Sequence, residues 1–243
     1  MIKLIKLFLR KMNKRAFLIF NKYEVHEYYF SQSGEDNILS NIFQKILENN
    51  QNGFYVDIGA FHPYRFSNTF YFYLRGWKGI NVDATPNSML LFEKHRKRDL
   101  NIEIGISEKG GDEELTFYSF GEDSMNSFKR NWLFQQGLNI EDSNSISVKT
   151  LTLNELFIKY LDFNQEIDFM NIDVEGMNTE VCQSNNWDNF RPNILVIELP
   201  GRELSEINDD INYFEGINYH LIGKTTLYSP CGSLIFQNGS YKI

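Results

Sequence analysis

The chain has 243 residues, a formal net charge of −8 and a hydrophobic fraction of 42%. This length predicts one domain with a sizeable buried core, and the acidic balance argues against a broad nucleic-acid-binding surface. The two cysteines, Cys182 and Cys231, lie far apart in sequence, and no export signal is recognisable. We therefore expect reduced thiols and a cytoplasmic location.

Residues 1–30 form a basic segment that differs from the rest of the chain. Residues 1–20 contain six basic residues and no acidic one, and their apolar residues recur at the spacing of an amphipathic helix. The apolar stretch is too short and too interrupted by charge for a signal peptide or a membrane span. We expect this helix to pack on the domain or on a second copy of the chain in a homo-oligomer. Peripheral attachment to a membrane is the less favoured alternative. Residues 31–243 are expected to form a single domain.

Periodicity and turn residues predict alternating helices and strands from residue 31 onwards. The first helix is expected to be capped by Ser31 or Ser33, and Thr152-x-x-Glu155 predicts a capping box before a helix over residues 153–161. The predicted strands cover residues 54–58, 79–82, 101–106, 115–118, 167–172, 194–199, 219–224 and 233–236. The other predicted helices cover residues 70–74, 177–182 and 207–214, and one more opens at Pro86.

This alternation predicts a mostly parallel sheet, in which the last two strands pair antiparallel because little sequence separates them. Residues 121–145 have weak periodicity and many polar residues, so we expect a lid or a substrate-binding excursion there. In open sheets of this kind, ligands bind beyond the carboxyl ends of the strands. Acidic residues stand at or near these strand ends: Asp57, Asp83, Asp173, Glu175 and Glu198.

The first two acidic strand ends indicate the kind of cofactor. An acid at the end of the second strand typically binds ribose hydroxyls, and Asp83 fits this role. The turn after the first strand reads DIGAFHP and lacks the glycine pattern that binds a pyrophosphate. A carboxylate at Asp57 suits a cationic amino group better than a phosphate. These residues favour S-adenosylmethionine over a dinucleotide.

The chain resembles the FkbM family of S-adenosylmethionine-dependent methyltransferases. Four pieces of sequence carry the resemblance: SQSGED at 31–36, FYVDIGAFHPYRFSNTFYFYLRGWKGINVDATP at 54–86, IDFMNIDVEGMNTEV at 167–181 and RPNILVIE at 191–198. The resemblance implies an α/β class I methyltransferase, or Rossmann-like, fold. Its seven-stranded sheet would be mostly parallel with an antiparallel edge strand, and helices would cover both faces.

The resemblance also implies a set of cofactor-binding residues. These residues are Gln32, Asp36, Asp57, Gly59, Ala60, Ser67, Asn68, Thr69, Asp83, Gly105, Ile106 and Ser107. Asp57, Gly59 and Ala60 would line the methionine end of the cofactor, and residues 105–107 would lie near the adenine. The motif Asp173-Val174-Glu175-Gly176 would face the transferred methyl group.

A hydroxyl group is a poor nucleophile, and two mechanisms for activating the acceptor hydroxyl are open. Asp173, Glu175 or His62 is a candidate general base. Alternatively, Asp173 and Glu198 bind a divalent cation that lowers the pKa of the hydroxyl. Oxygen ligands favour Mg²⁺ or Mn²⁺, and His62 as a further ligand would admit Fe²⁺. The simpler interpretations are a structural hydrogen-bond acceptor for Glu198 and a turn residue for His62.

We therefore expect an enzyme that methylates a hydroxyl group of a carbohydrate. The acceptor would be a small molecule such as a sugar, a nucleotide-activated sugar or a precursor of a surface polysaccharide. The basic stretch EKHRKR at 93–98 is a candidate for binding the phosphates of a nucleotide-sugar. A nucleotide-dependent oxidoreductase and a non-catalytic cofactor-binding scaffold are the alternatives.

Overall fold

The computed structural model describes residues 28–111, 113–121, 125–199, 207–226 and 232–242. The predicted N-terminal amphipathic helix and Cys231 lie outside these residues, so expectations about them stay predictions. The strands are β1 Phe54–Ile58, β2 Lys78–Asp83, β3 Leu100–Glu103, β4 Gly105–Ile106, β5 Glu113–Ser119, β6 Asn144–Leu151, β7 Phe169–Ile172, β8 Ile194–Glu198, β9 Tyr219–Lys224 and β10 Ser233–Asn238. The α-helices are α1 Glu35–Ile42, α2 Gln44–Glu48, α3 Phe70–Leu74, α4 Met89–His95, α5 Arg130–Gln135, α6 Leu153–Tyr160, α7 Asn178–Gln183 and α8 Asn208–Gly216.

The main sheet has seven strands in the order β3-β2-β1-β7-β8-β10-β9. The neighbours from β3 to β8 are parallel, whereas β10 is antiparallel to both β8 and β9. The prediction of a seven-stranded, mostly parallel α/β sheet is confirmed. The antiparallel strand is β10, which lies between β8 and the edge strand β9. The chain runs from β8 through α8 to β9 and leaves a gap between these two strands. It then reverses direction, and β10 fills the gap.

Helices cover both faces of this sheet, because strand side chains alternate between two cores. In β8, Leu195 and Ile197 belong to one core, and Ile194 and Val196 belong to the other. The first core packs against α6, α7 and α8. The second packs against α1 and α3 and is rich in aromatic rings, with Phe72, Trp77 and Phe169 among its members. All of these strand residues are fully or almost fully buried.

A second sheet interrupts the main one. The predicted strand over residues 101–106 is divided: β3 belongs to the main sheet, and β4 pairs with β6 in a three-stranded sheet of order β4-β6-β5. The chain between β5 and β6 contains α5 and a short 3-10 helix, Ile140–Asp142. The stretch predicted as an excursion thus has regular structure, and its last two residues are already in β6.

Two capping predictions have different outcomes. Thr152 and Glu155 form the predicted capping box at the start of α6. The prediction that a serine caps the first helix is wrong, because α1 begins after Gly34 with no side-chain cap. Ser31 instead donates to Asp36 through its hydroxyl at 2.5 Å. Among the described residues, every helix is too short or too polar to cross a bilayer.

Candidate active site

A cavity of about 280 Å³ opens where β1, β2, β7 and β8 end. Five acidic side chains line it: Asp57, Asp83, Asp173, Glu175 and Glu198. Among the described residues that line the cavity, none is a lysine, an arginine or a histidine. The acidic residues predicted at the strand ends therefore line one cavity. A described lining with five acidic and no basic side chains suits a cationic or neutral ligand.

Asp57 is held rigidly at the end of β1. Its side chain is only 2% exposed. Thr69 Oγ1 donates to one carboxylate oxygen at 2.8 Å, and Asn171 Nδ2 donates to the other at 2.9 Å. Burial raises the pKa of Asp57, and these two hydrogen bonds together with the charge of Arg96 counteract the rise.

Arg96 lies behind Asp57 and is completely buried. Its Nη2 donates to Thr69 Oγ1 at 2.9 Å and to Tyr55 Oη at 2.8 Å, and its Nε pairs with Asp99 at 2.8 Å. The guanidinium thus links a buried ion pair to the threonine that holds Asp57. Because Arg96 faces the core, it is not available to bind the phosphates of an acceptor.

Asp83, at the end of β2, has both carboxylate oxygens bound by backbone amides. Phe61 N donates to Oδ2 and Thr85 N donates to Oδ1, each at 2.8 Å. Burial raises the pKa of Asp83, and these amides lower it. The side chain remains part of the cavity lining, so its free lone pairs can accept hydrogen bonds from hydroxyl groups.

Gly59 brings the two halves of the site together. It adopts φ +80°, and a Cβ there would lie 1.7 Å from the carbonyl oxygen of Asp173. Only glycine permits this approach and this conformation at once. The turn after β1 therefore rests directly on the turn after β7.

Three carboxylates form the other half of the site. Asp173, Glu175 and Glu198 each place an oxygen within 4.8 Å of the others. The Oδ1 atom of Asp173 is buried and has no hydrogen-bond partner among the described residues. Burial, and next the charge of Glu198, raise the pKa of Asp173 well above its ordinary value. Glu175 has φ 38°, a conformation unfavourable for a non-glycine residue.

Not every predicted cofactor residue reaches the cavity. Those that line it are Gln32, Asp57, Gly59, Ala60, Ser67, Asn68, Asp83 and Ile106. Those that do not are Asp36, Thr69, Gly105 and Ser107.

Each of these four residues has a different surrounding. Asp36 accepts from Phe30 N at 2.5 Å, and Thr69 lies beneath Asp57. Ser107 is buried and donates to Thr150 Oγ1 at 3.0 Å. A Cβ on Gly105 would meet the ring of Phe128.

His62, a predicted base or ligand, also lies outside the cavity lining. Its Nδ1 accepts from the backbone amides of Tyr64 and Arg65 at 3.3 and 3.1 Å. This geometry matches a turn residue before Pro63.

Sequence reasoning missed several residues of the site. Asn171 links two of the predicted residues: its Nδ2 donates to Asp57, and its Oδ1 accepts from Asn68 Nδ2 at 2.8 Å. The signal was a polar residue in the apolar run of β7. Trp132 in α5 and Gln136 at the C-terminal cap of this helix also line the cavity, and they gave no such signal because no motif surrounds them.

The fold and the site together define a Rossmann-like methyltransferase. A sequence model of the Methyltransferase FkbM domain matches residues 57–231. The chain belongs to the FkbM methyltransferase family, and membership implies S-adenosylmethionine as the methyl donor.

Comparison with solved structures finds similarity to methyltransferases at low sequence identity. One is Methyltransferase FkbM from Methylobacillus flagellatus KT, at 10% identity and a TM-score of 0.46, covering 77% of this chain and 44% of that one. Another is Precorrin-6y C5,15-methyltransferase from Geobacter metallireducens GS-15, at 10% identity and a TM-score of 0.36, covering 81% of this chain and 87% of that one. The chain thus spans less than half of the first protein. A search of curated protein sequences gives no match.

Proposed function

We propose that this protein is an S-adenosylmethionine-dependent O-methyltransferase that acts on a hydroxyl group of a small carbohydrate. One observation carries the proposal: one cavity joins the carboxylates of β1 and β2 to the carboxylate cluster of β7 and β8. A cofactor bound at the first pair therefore points its reactive end at the second set. The family membership supplies the methyl donor, and the cluster supplies the means to activate an oxygen nucleophile.

The residues of the first pair fit S-adenosylmethionine. Asp57 presents a fixed carboxylate where an amino group would lie, and Asp83 presents one where ribose hydroxyls would lie. Ile104 and Ile106 offer an apolar wall suited to an adenine ring. The absence of cationic side chains from the described lining disfavours a cofactor with a pyrophosphate. This observation weighs against a nucleotide-dependent oxidoreductase.

The carboxylate cluster fits the removal of a proton from the acceptor. When bound, S-adenosylmethionine supplies a methyl group on a positively charged sulfur. As the carbon–oxygen bond forms and the carbon–sulfur bond breaks, the hydroxyl proton must leave. Asp173 is suited to accept it, because its Oδ1 has no hydrogen-bond partner within the described ranges and its raised pKa makes it a stronger base than an ordinary aspartate.

The same cluster fits a divalent cation. Asp173, Glu175 and Glu198 form an all-oxygen donor set of the kind that Mg²⁺ and Mn²⁺ prefer. A cation bound there would lower the pKa of the acceptor hydroxyl and orient it. His62 lies outside the cavity, so the donor set gives no preference for Fe²⁺.

Three carboxylates this close are unfavourable unless a proton, a cation or a substrate relieves their repulsion. A non-catalytic protein that only binds the cofactor would not require three carboxylates so close together. The cluster therefore favours an enzyme over the scaffold alternative.

Calorimetry on the purified full chain tests the cofactor. We expect saturable binding of S-adenosylmethionine and of its demethylated product, S-adenosylhomocysteine. Absence of binding to both would refute the proposal.

Release of S-adenosylhomocysteine in the presence of methyl glycosides then tests the reaction. Chelation followed by addition of Mg²⁺ or Mn²⁺ separates the two mechanisms. Turnover that survives thorough chelation identifies carboxylate base catalysis, and turnover restored by the added ion identifies the cation.

A further inference from the structure

Helix α5 lies in the stretch that the family motifs do not cover, and it forms a wall of the cavity. Trp132 lies in α5, and Gln136 is the residue that caps the C-terminal end of this helix. The two residues are four apart, and Gln136 N donates to the carbonyl oxygen of Trp132 at 3.0 Å, so they share one side of the helical turn. Both line the cavity. On the other sides, Leu133 is fully buried and Phe134 is 79% exposed. The helix thus presents one aromatic ring and one carboxamide to whatever occupies the cavity.

Trp132 packs directly on the turn that carries the carboxylates. A Cβ added to Gly176 would lie 2.5 Å from Cγ of Trp132, so the indole already touches the glycine backbone. Ser127 Oγ donates to the carbonyl oxygen of Glu175 at 2.6 Å and fastens the preceding loop to the same turn. An ion pair between Lys129 and Glu180 joins the start of α5 to α7. The indole is therefore fixed beside the candidate reaction centre.

The composition of the lining indicates the chemistry of the acceptor. Besides the indole, it contains the carboxamides of Asn126 and Gln136 and the carboxylates of Glu175 and Glu198. An aromatic face packs against the C–H face of a sugar ring, while carboxamides and carboxylates bind its hydroxyl groups. No cationic side chain among the described lining residues would neutralise a phosphate.

We propose that α5 forms the acceptor subsite, in which Trp132 stacks on the apolar face of an uncharged sugar ring and Gln136 binds its hydroxyl groups. This inference rests on the proposed function and narrows its substrate class. If the acceptor is a nucleotide-activated sugar, the nucleotide lies outside the cavity. The sugar ring then stands between the indole and the carboxylate cluster, so that one hydroxyl faces Asp173.

Fluorescence titration of the full chain tests this subsite. The chain has three tryptophans, of which Trp77 is fully buried, Trp187 is 7% exposed and Trp132 lines the cavity. The probes are methyl glycosides of glucose, galactose, mannose, fucose and rhamnose, and the corresponding sugar 1-phosphates. All titrations contain saturating S-adenosylhomocysteine. We expect at least one neutral glycoside to change the emission saturably, and we expect this change to vanish in Trp132→Phe.

The variants separate a binding role from a structural one. Calorimetric titration with the methyl glycoside measures affinity in each variant, because it does not depend on the emission of Trp132. We expect Trp132→Ala to weaken glycoside binding about tenfold and Gln136→Ala about threefold to tenfold, whereas Trp132→Phe retains most of the affinity. Phe134→Ala, on the solvent side of the same helix, serves as the matched control and should bind like the wild type. Binding of S-adenosylhomocysteine should stay within about twofold in every variant, which also shows that each is folded.

Three outcomes would overturn the inference. They are unchanged glycoside affinity in both Trp132→Ala and Gln136→Ala, preference for the sugar phosphates, and binding of S-adenosylhomocysteine without binding of any neutral glycoside. Failure to bind S-adenosylhomocysteine at all would instead refute the proposed function, so the two failures are distinguishable.

Discussion

Asp83 ends β2, and Asp173 directly follows β7 of the same sheet, but the two carboxylates have different hydrogen-bond partners. Backbone amides bind both oxygens of Asp83, whereas Oδ1 of Asp173 is buried and finds no partner in the part of the chain that the structure describes. Asp57 resembles Asp83, because Thr69 and Asn171 bind its two oxygens. The carboxylates on the side that we propose for the cofactor therefore have their hydrogen-bond partners within the protein. On the side that we propose for the acceptor, a proton, a cation or a substrate would complete the arrangement.

The two sides of the cavity also differ in the charges that surround their carboxylates. On the cofactor side, buried Arg96 stands behind Asp57 and offsets part of the cost of burying a carboxylate. On the proposed acceptor side, the charge with the largest effect on the pKa of Asp173 belongs to another carboxylate, Glu198, and raises that pKa. The first arrangement favours a stable fold, and the second retains unfavourable electrostatics at the place where chemistry is expected.

The largest expected effect comes from removing the cation behind the cofactor side. Arg96→Met leaves Asp99 buried without its ion-pair partner, and we expect the free energy of unfolding to fall by about 3–5 kcal/mol. Urea unfolding measures this change. The matched control is Lys97→Met, an exposed cation in the same segment, which should change stability by less than about 0.5 kcal/mol. A midpoint for Arg96→Met at the wild-type value would show that the buried charge is not needed.

Substitution on the acceptor side should affect turnover and leave cofactor binding intact. Asp173→Asn removes the carboxylate that we place at the reacting hydroxyl, and we expect kcat to fall about 10²–10⁴-fold. The affinity for S-adenosylhomocysteine, measured by calorimetry, should stay within about twofold. Asp168→Asn changes the same residue type before the other end of β7 and should retain turnover. Equal activity of Asp173→Asn and wild type would place the catalytic centre elsewhere.

Substitution on the cofactor side should give the opposite pattern. Asp83→Ala removes the carboxylate expected to bind the ribose, and we expect cofactor affinity to fall about 10- to 100-fold. At saturating cofactor, kcat should change only a few-fold. Titration with S-adenosylhomocysteine and a kcat measurement at high cofactor concentration check both expectations. A large loss of kcat with unchanged affinity would remove the distinction between the two sides.

Sequence reasoning succeeded where the signal was local. The apolar runs that end at Asp57 and Asp83 predict both the strands and the edge of the sheet at which they meet. The capping box of α6 likewise depends only on residues a turn apart. These features follow from periodicity and short-range hydrogen bonding, so one sequence is sufficient to predict them.

Features that depend on tertiary packing were not predictable in the same way. Arg96 belongs to a basic stretch that suggests a solvent-exposed surface. Its side chain instead binds Tyr55 and Thr69, which are distant in sequence, as well as Asp99 three residues further on. Trp132 lies in a stretch of weak periodicity, and only its contact with Gly176 shows its place in the site. Sequence position alone does not give side-chain direction in either case.

The pH dependence of turnover sharpens the contrast between the two sides. The charge of Glu198 helps to raise the pKa of Asp173, so Glu198→Gln should lower that pKa. If turnover requires ionised Asp173, the acidic limb of the profile of kcat/KM against pH moves to lower pH in this variant. Glu166→Gln, an exposed acid outside the cavity, should leave the limb in place. An unmoved limb in Glu198→Gln would show that Asp173 is not the group that titrates.

The last prediction concerns Asp168, whose carboxylate lies near the other end of β7 from Asp173. Burial raises the pKa of Asp168 from 3.8 to about 6, although Phe54 N donates to it at 2.7 Å. The folded state therefore holds the proton more tightly than the unfolded state. Its contribution to stability is complete below about pH 4 and is lost as the pH rises to about 6.

Asp168→Asn cannot ionise but keeps an oxygen that accepts from Phe54 N. Its free energy of unfolding should therefore lack the decline that the wild type shows between about pH 4 and pH 6. Urea unfolding at intervals across this range measures the difference, and parallel curves would contradict the expected proton uptake. A raised pKa thus occurs near both ends of β7. Among the described residues, only the Asp173 end combines it with an oxygen that lacks a hydrogen-bond partner and with two neighbouring carboxylates. That combination, and not the pKa alone, distinguishes the proposed reaction centre from an ordinary buried acid.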